Sequence, residues 1–286
     1  MSNSKFQHYF DALDTYLDLR DLSDTTKRSY HSHLNSYLTW ISKTLAISPE
    51  EATYENIRTY IHYLKKEKKL SNHSINAHTS QIRFFRRYVL KQGWDPFEVP
   101  RMKYYTPLPF VLSKEDALFF IDSIPNLKKK AFVALLYSSG LRVSEVCHLR
   151  FEDISREDKR IFIRRSKNRA DRYAQLSPFA LDILTDYWRT HGRPRGWLFP
   201  GQKPDSCITK ATAGLYVKEH VERLGWTHPI TTHTFRHSFA THHYEQGTDL
   251  LTIQHLLGHK SINSTTVYIH LAKKVLAKAT SPFDVR

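Results

Sequence analysis

The stretch TTHTFRHSFATHH, residues 231–243, puts four histidines and one arginine into thirteen positions. His233 and Arg236 are three apart, so on a helix they share one face of a single turn. Pro229 with Thr231 and Thr232 predicts a helix start, and Gly247 predicts its end. A helix N-terminus favours anions through its free N–H groups and its dipole, so a histidine and an arginine in the first turn suit a phosphate. Phe235 and Phe239 are spaced to anchor another face in a core. The alternative is a metal pair, His233 and His237 at i and i+4. However, the HExxH pattern of zinc hydrolases needs glutamate at 234, where this chain has Thr234, and the Arg236 cation would weaken a metal nearby. No metal and no other cofactor is expected.

Two further stretches carry groups of the same kind. In SSGLRVSEVCHL, Arg142 lies among Leu141, Val143, Val146 and Leu149. A charge in that company must be paired, and Glu145 is three residues on, within reach on a helix. Two readings stay open: a structural ion pair, or an arginine held rigid by Glu145 with its fork aimed at a phosphate. In DLLTIQHLLGHKSINSTTVYIHL, residues Leu250, Ile253, Leu256 and Leu257 make an amphipathic helix closed by Gly258, with His259 just past its end. Another helix is expected near Ser264–Thr265 with Tyr268 in its first turns. Taken alone, Tyr268 reads as a core aromatic beside Val267 and Leu271.

The elements that must position these groups are mostly helical. Residues 4–91 read as about four helices. Ser23 and Asp24 precede Tyr30, Leu34, Tyr37, Leu38 and Ile41, spaced for one buried face, and SPEE from Ser48 predicts a helix start. The fourth helix holds QIRFFRRYVLK, where Arg83, Arg86, Arg87 and Lys91 are expected to line one side and lie along a phosphate backbone. The run KKEKK at 65–69 reads as a solvated face. GWDPFEVPRMKYYTPLPF is rich in proline, which stiffens a chain and interrupts helices, so 93–112 is expected to link a domain of residues 1–92 to one of 113–286. Ser113 with Asp116 predicts a capped helix after it. Within 160–176, the runs Ile161–Ile163 and Tyr173–Leu176 flank a charged turn and predict a β-hairpin, and helical pattern resumes at 178–190 and runs to about 280.

Bulk properties narrow the class. There are 43 Lys and Arg against 28 Asp and Glu, a formal net charge of +15, which points to a polyanionic partner such as nucleic acid. Cys147 and Cys207 stand apart with no CxxC spacing, so neither a disulfide framework nor a zinc knuckle is expected. No apolar run approaches the ~20 residues of a membrane span, and the first residues lack a signal-peptide core, so a cytoplasmic, nucleoid-associated protein is expected, with no membrane partner. There is no GxxxxGK[ST] phosphate loop.

In order along the chain, "LPFVLSKEDALFF", "SSGLRVSEVCHLRFEDI", "HTFRHSFATHHYEQGTDLLTIQHLLGH" and "STTVYIHL" resemble the tyrosine recombinases: phage integrases, Xer-type resolvases and transposon integrases. The resemblance spans 108–271, and its HxxRH…LGH…TxxY series is more specific than any one element. The N-terminal region is similar to the family's helical core-binding domain only in pattern, through TTKRSYHSHLNSYLTW. The resemblance implies a mainly α fold with a small antiparallel sheet, in two domains that clamp DNA. It implies Tyr268 as the nucleophile on a DNA phosphate, leaving a 3′-phosphotyrosine link without ATP or metal. Arg142 and Arg236 would hold the non-bridging oxygens, His259 would add a hydrogen bond, His233 would assist proton transfer and Glu145 would support Arg142. Lys167 would protonate the leaving 5′-oxygen, although it stands in RRSKNRADR rather than among the usual glycines. Arg172 fits the arginine that usually follows. Arg164, Arg165, Arg169 and Arg172 are taken as DNA contacts. Implied partners are double-stranded DNA at specific sites and further copies of the chain in a tetramer, acting through a Holliday junction, with an accessory directionality factor as a further candidate. The C-terminal AKKVLAKATSPFDVR is a candidate docking segment on a neighbouring copy. Two rival readings are relaxation of DNA in the manner of a type IB topoisomerase, and a non-catalytic DNA-binding protein on the same scaffold.

Overall fold

The computed structural model describes residues 4–164, 171–193, 195–203 and 205–272. The chain divides into two compact units, Met1–Thr106 and Pro107–Arg286. Among the described residues the first contains four α-helices: α1 (Gln7–Leu19), α2 (Asp24–Trp40), α3 (Tyr54–Lys66) and α4 (Asn72–Tyr88). Ser23 caps α2 by accepting the Thr26 backbone N–H, and Leu34, Tyr37, Leu38 and Ile41 are buried as their spacing requires. SPEE does not begin a helix. Glu51 does accept the Ser48 backbone N–H at 2.8 Å, but the segment forms only a turn. The next helix starts at Tyr54, where Thr53 and Asn56 cap each other's backbone N–H. The core gathers Leu13, Leu17, Leu34, Leu38, Tyr60 and Phe85.

A polar pair interrupts that core. The rings of His33 and His78 stack with centroids 3.8 Å apart, and the Tyr60 hydroxyl reaches His78 Nδ1. Burial, with the neighbouring His33, lowers His78 to about 4, and burial also lowers His33. Above the ordinary imidazole value of about 6.5 both are neutral, folded or unfolded. As pH falls from there towards 4, the unfolded chain takes up the proton first, so stability is lost over that interval, by roughly 3 kcal/mol for His78 at about 1.4 kcal/mol per pKa unit. Melting temperature should therefore drop between pH 7 and pH 5, and the drop should be smaller in His78→Phe.

The residues from Lys91 to Ser113 form no helix or strand. Asn76 exchanges two hydrogen bonds with the Met102 backbone, which ties that end to the first unit. The Leu112 backbone N–H donates to Ser238 Oγ, within the second unit.

The second unit holds α5 (Lys114–Asp122), α6 (Leu127–Ser138), α7 (Val143–Cys147), α8 (Pro178–Thr190), α9 (Lys210–Arg223), α10 (Thr232–Glu245), α11 (Leu250–Leu257) and α12 (Val267–Leu271). Ser113 caps α5 through the Asp116 N–H. A three-stranded antiparallel sheet, order β1-β2-β3, joins β1 (Ile154–Ser155), β2 (Arg160–Ile163) and β3 (Arg172–Gln175). In its register Ile161 faces Ala174 and Ile163 faces Arg172. Ile161, Ile163 and Ala174 are buried with Phe120, Phe132, Tyr187, Phe199 and Phe235 in the main core. Because side chains alternate along a strand, Arg172 lies on the same inward face as Ala174. Phe239, Ala240, Ile253, Leu257 and Tyr268 form a second cluster, which fixes α10, α11 and α12 to one another. Among the described residues no helix is long and apolar enough to cross a membrane.

Candidate active site

Three arginines from distant parts of the sequence converge on one helix end. The last carbonyls of α11 lack helical partners, and this end carries the negative pole of the helix dipole. Arg172 Nη1 donates to Leu256 O at 3.0 Å, Arg236 Nη2 to Leu257 O at 2.8 Å, and Arg142 Nη2 to Gly258 O at 2.9 Å. The free ends of α11 thus gather all three guanidiniums. Glu145 supplies the counter-charge. Its Oε1 accepts from Arg142 Nη1 at 2.7 Å, while its Oε2 accepts from the Arg142 backbone N–H at 2.9 Å and from Arg172 Nη2 at 2.8 Å. The Glu145 side chain is only 4% exposed, so this carboxylate is committed to the arginines.

Two glycines make the convergence sterically feasible. Gly140 has φ +58°, and a Cβ there would sit 2.4 Å from the Phe239 ring; its carbonyl accepts from Arg236 Nη1 at 2.6 Å. Gly258 has φ +62° as the C-cap of α11, and a Cβ there would sit 2.6 Å from Arg172 Nε. The Schellman-type bond from His259 N–H to Gln254 O then sets His259 directly beside this end.

Burial dominates the electrostatics. Arg236 is 4% exposed, and burial, aided by Arg142, pulls its guanidinium down to about 10 against the opposing pull of Glu145, which leaves it charged at neutral pH. Arg172 is also lowered by burial, and its buried Nε has no hydrogen-bond partner among the described residues. Burial, then the Arg236 and Arg142 charges, lower His259 to about 4, so its imidazole is neutral. His259 Nδ1 lies 2.9 Å from Thr265 Oγ1, which orients the ring. The ring runs nearly parallel to that of Tyr268, 11° between planes and 6.5 Å between centroids. Tyr268 is 1% exposed. Burial raises its phenol above the ordinary value, while Arg236 and Arg142 oppose the rise. The same two guanidinium charges act on the His259 ring beside it.

Of the residues expected to act at the phosphate, Arg142, Glu145, Arg236, His259 and Tyr268 lie together. His233 is exposed on the first turn of α10, with its ring 6.4 Å from that of His237. It is His237, weighed from the sequence only as half of a metal pair, whose Nδ1 lies 3.3 Å from the Tyr268 hydroxyl. Among the described residues no group of three or more metal-ligating side chains occurs. Lys167, Arg165 and Arg169 lie outside the described residues, as does 273–286.

The expected DNA contacts fare unevenly. Arg83 and Arg87 are exposed on α4. Arg86 is instead turned inward, donating to Gly93 O and Ala52 O and lying over the Tyr54 ring. Lys91 lies beyond the end of α4, in left-handed conformation, bonded to the Tyr16 hydroxyl. Arg164 pairs with Asp153 and Glu152. Arg172 belongs to the arginine cluster rather than to an outer surface. Its inward position was available from the sequence as period-2 alternation with Ala174.

Both units have counterparts among known proteins. The phage integrase family matches residues 111–275, and the SAM-like N-terminal domain of phage integrases matches residues 9–96. The chain is 36% identical over 270 residues to the putative integrase/recombinase y4qK of Sinorhizobium fredii, covering 94% of this chain and 86% of that protein. It is 30% identical over 269 residues to tyrosine recombinase XerA of Pyrococcus horikoshii, covering 93% and 90% respectively. The fold is similar to that of the XerH site-specific recombinase bound to its palindromic difH substrate, with a TM-score of 0.73 at 22% identity over 93% of this chain and 82% of that one. By its matched domains and its relatives, the chain belongs to the phage integrase family, the tyrosine recombinases.

Proposed function

We propose that this recombinase cleaves and rejoins strands of duplex DNA through a covalent bond between Tyr268 and a 3′-phosphate. The observation that carries the reading is the placement of Tyr268 beside His259, within the field of Arg142 and Arg236, both tethered to the end of α11. Each guanidinium has five N–H donors, and the contacts with Glu145, Gly258, Gly140 and Leu257 occupy two on each, so both retain donors for the non-bridging oxygens of a phosphate. Donors fixed before the substrate arrives stabilise the charge of the pentacoordinate transition state without reorganising. His259, neutral and oriented by Thr265, adds a hydrogen bond to the same phosphate. Lys167 delivers the proton that the leaving 5′-oxygen needs, and His233, exposed on α10, takes the proton that the Tyr268 hydroxyl gives up as its oxygen bonds to phosphorus. The arginines provide the positive charge, so neither metal nor ATP enters: the phosphotyrosine bond conserves the free energy of the strand it replaces.

Because the Tyr268 side chain is 1% exposed, the residues that cover it must part to admit the strand. The XerH recombinase binds a palindromic substrate, and by analogy this chain acts on paired duplex sites as a tetramer, through a Holliday junction. Arg83 and Arg87 on α4 contact the phosphate backbone.

A pool of nicked duplexes with a randomised core tests the reading. A nick near the cleavage point lets the short product diffuse away and traps the enzyme on DNA. Detergent-resistant complexes should accumulate and enrich one sequence, in EDTA and without ATP. Tyr268→Phe should bind DNA but form none. Covalent capture by Tyr268→Phe, or capture that stops in EDTA, would reject the mechanism.

A further inference from the structure

The Tyr268 hydroxyl is the one group that must act at a defined angle, and in this structure it has a defined neighbour. His237 Nδ1 lies 3.3 Å from it, and the two ring centroids are 5.9 Å apart. A hydroxyl on a side chain only 1% exposed needs a hydrogen-bond partner. His237 follows Arg236 directly on α10, so its ring leaves the helix about 100° round from the guanidinium. A single turn of α10 therefore holds a cation on one bearing and an imidazole on the next. His233, on the preceding turn, is exposed, and its ring centroid is 6.4 Å from that of His237. Of the two histidines that flank Arg236, it is His237 that reaches the phenol.

The imidazole is suited to accept rather than to take the proton. Burial, reinforced by His233 and Arg236, lowers His237 to about 4. Its ring is neutral at physiological pH and keeps one nitrogen free to accept. Burial holds the phenol above its ordinary value while His237 is lowered, so the proton stays on the Tyr268 oxygen.

We propose that His237 is a positioning residue for the nucleophile: its Nδ1 accepts the Tyr268 O–H and fixes the direction of the phenolic oxygen before strand cleavage. The inference rests on the reading of Tyr268 as nucleophile. The HxxRH series includes His237, and the phenol contact gives that position a role beside those of His233 and Arg236. The His259 ring lies nearly parallel to the phenol at 6.5 Å between centroids, and His237 fixes where the hydroxyl points.

The test begins without DNA. The full chain is made with 3-fluorotyrosine at position 268 alone, and its ¹⁹F resonance is compared in three backgrounds. Asparagine places a carbonyl oxygen near the position of Nδ1, whereas leucine fills the space without an acceptor. His237→Leu should shift and broaden the resonance, and His237→Asn should return it close to its original position, with near-ultraviolet circular dichroism confirming that both variants are folded. On nicked duplexes, His237→Leu should slow single-turnover covalent capture roughly 10- to 100-fold with DNA affinity unchanged, the scale expected for a misplaced reacting atom. His237→Asn should recover most of that loss. A fluorine resonance indifferent to leucine, or asparagine behaving like leucine in both measurements, would overturn the positioning role. Covalent capture by Tyr268→Phe would instead remove the nucleophile on which the inference rests, an outcome that the DNA-free resonance cannot be confused with.

Discussion

Arg236→Ala is expected to abolish covalent capture of DNA and, separately, to lower the melting temperature. The guanidinium is 4% exposed and bridges two segments, donating to Gly140 O at 2.6 Å and Leu257 O at 2.8 Å. Truncation leaves both carbonyls facing a cavity, and each unsatisfied buried group costs about 1–3 kcal/mol. The chemical loss adds to this. Removing one preorganised donor from a developing oxyanion typically lowers the rate by about 10²- to 10³-fold, and here the donor is also a full charge. Arg236→Lys separates the two effects. Lysine keeps a charge but cannot span two carbonyls and a phosphate with one planar fork. It should bind nicked duplex nearly as well as the parent while capturing it roughly tenfold or more slowly. The measurements are a thermal melt and single-turnover capture at a temperature well below the melt of the weakest variant.

Glu145→Ala is expected to be the most destabilising single change at the site. Its carboxylate holds Arg142 and Arg172, whose side chains are 15% and 11% exposed, and Arg236 lies close enough for Glu145 and both other guanidiniums to act on its charge. Without Glu145 three guanidiniums share a poorly solvated space with no carboxylate bonded to them among the described residues, and removing one partner of a buried pair costs about 3–5 kcal/mol. The start of α7 also loses the acceptor for the Arg142 N–H. An anion in solution should partly replace the lost charge, so sulfate should raise the melting temperature of Glu145→Ala by more than that of the parent. Equal stabilisation of the two would show that the arginines do not form a shared anion site.

The helical frame of this site was legible because its signals are local. Ser23, Ser113 and Gly258 mark helix ends that depend on neighbours a few residues away, and the α11 stripe of Leu250, Ile253 and Leu257 follows helical period. The same locality explains the failure at SPEE, where a valid capping signal closes only a turn and the chain reserves its helix for Tyr54. Long-range relations were less visible. Nothing local tells that Arg142, Arg172 and Arg236 meet on three successive carbonyls, because only the fold brings α11 to them. Arg86 looked like a DNA contact because it sits in a basic run, yet its bonds to the carbonyls of Ala52 and Gly93 and its stacking on Tyr54 turn it inward. His233 and His237 are one helical turn apart and chemically identical on paper. Which one meets Tyr268 depends on the side of α10 to which α12 is packed.

At the centre of this mechanism the oxygen of Tyr268 becomes bonded to a DNA phosphate gripped by Arg142 and Arg236. Mass spectrometry of the protease-digested covalent complex tests that bond most directly. The expected result is a single DNA-bearing peptide, with a 3′-phosphoryl nucleotide on Tyr268. A nucleotide on any other side chain, or a 5′-phosphoryl link to Tyr268, would contradict it.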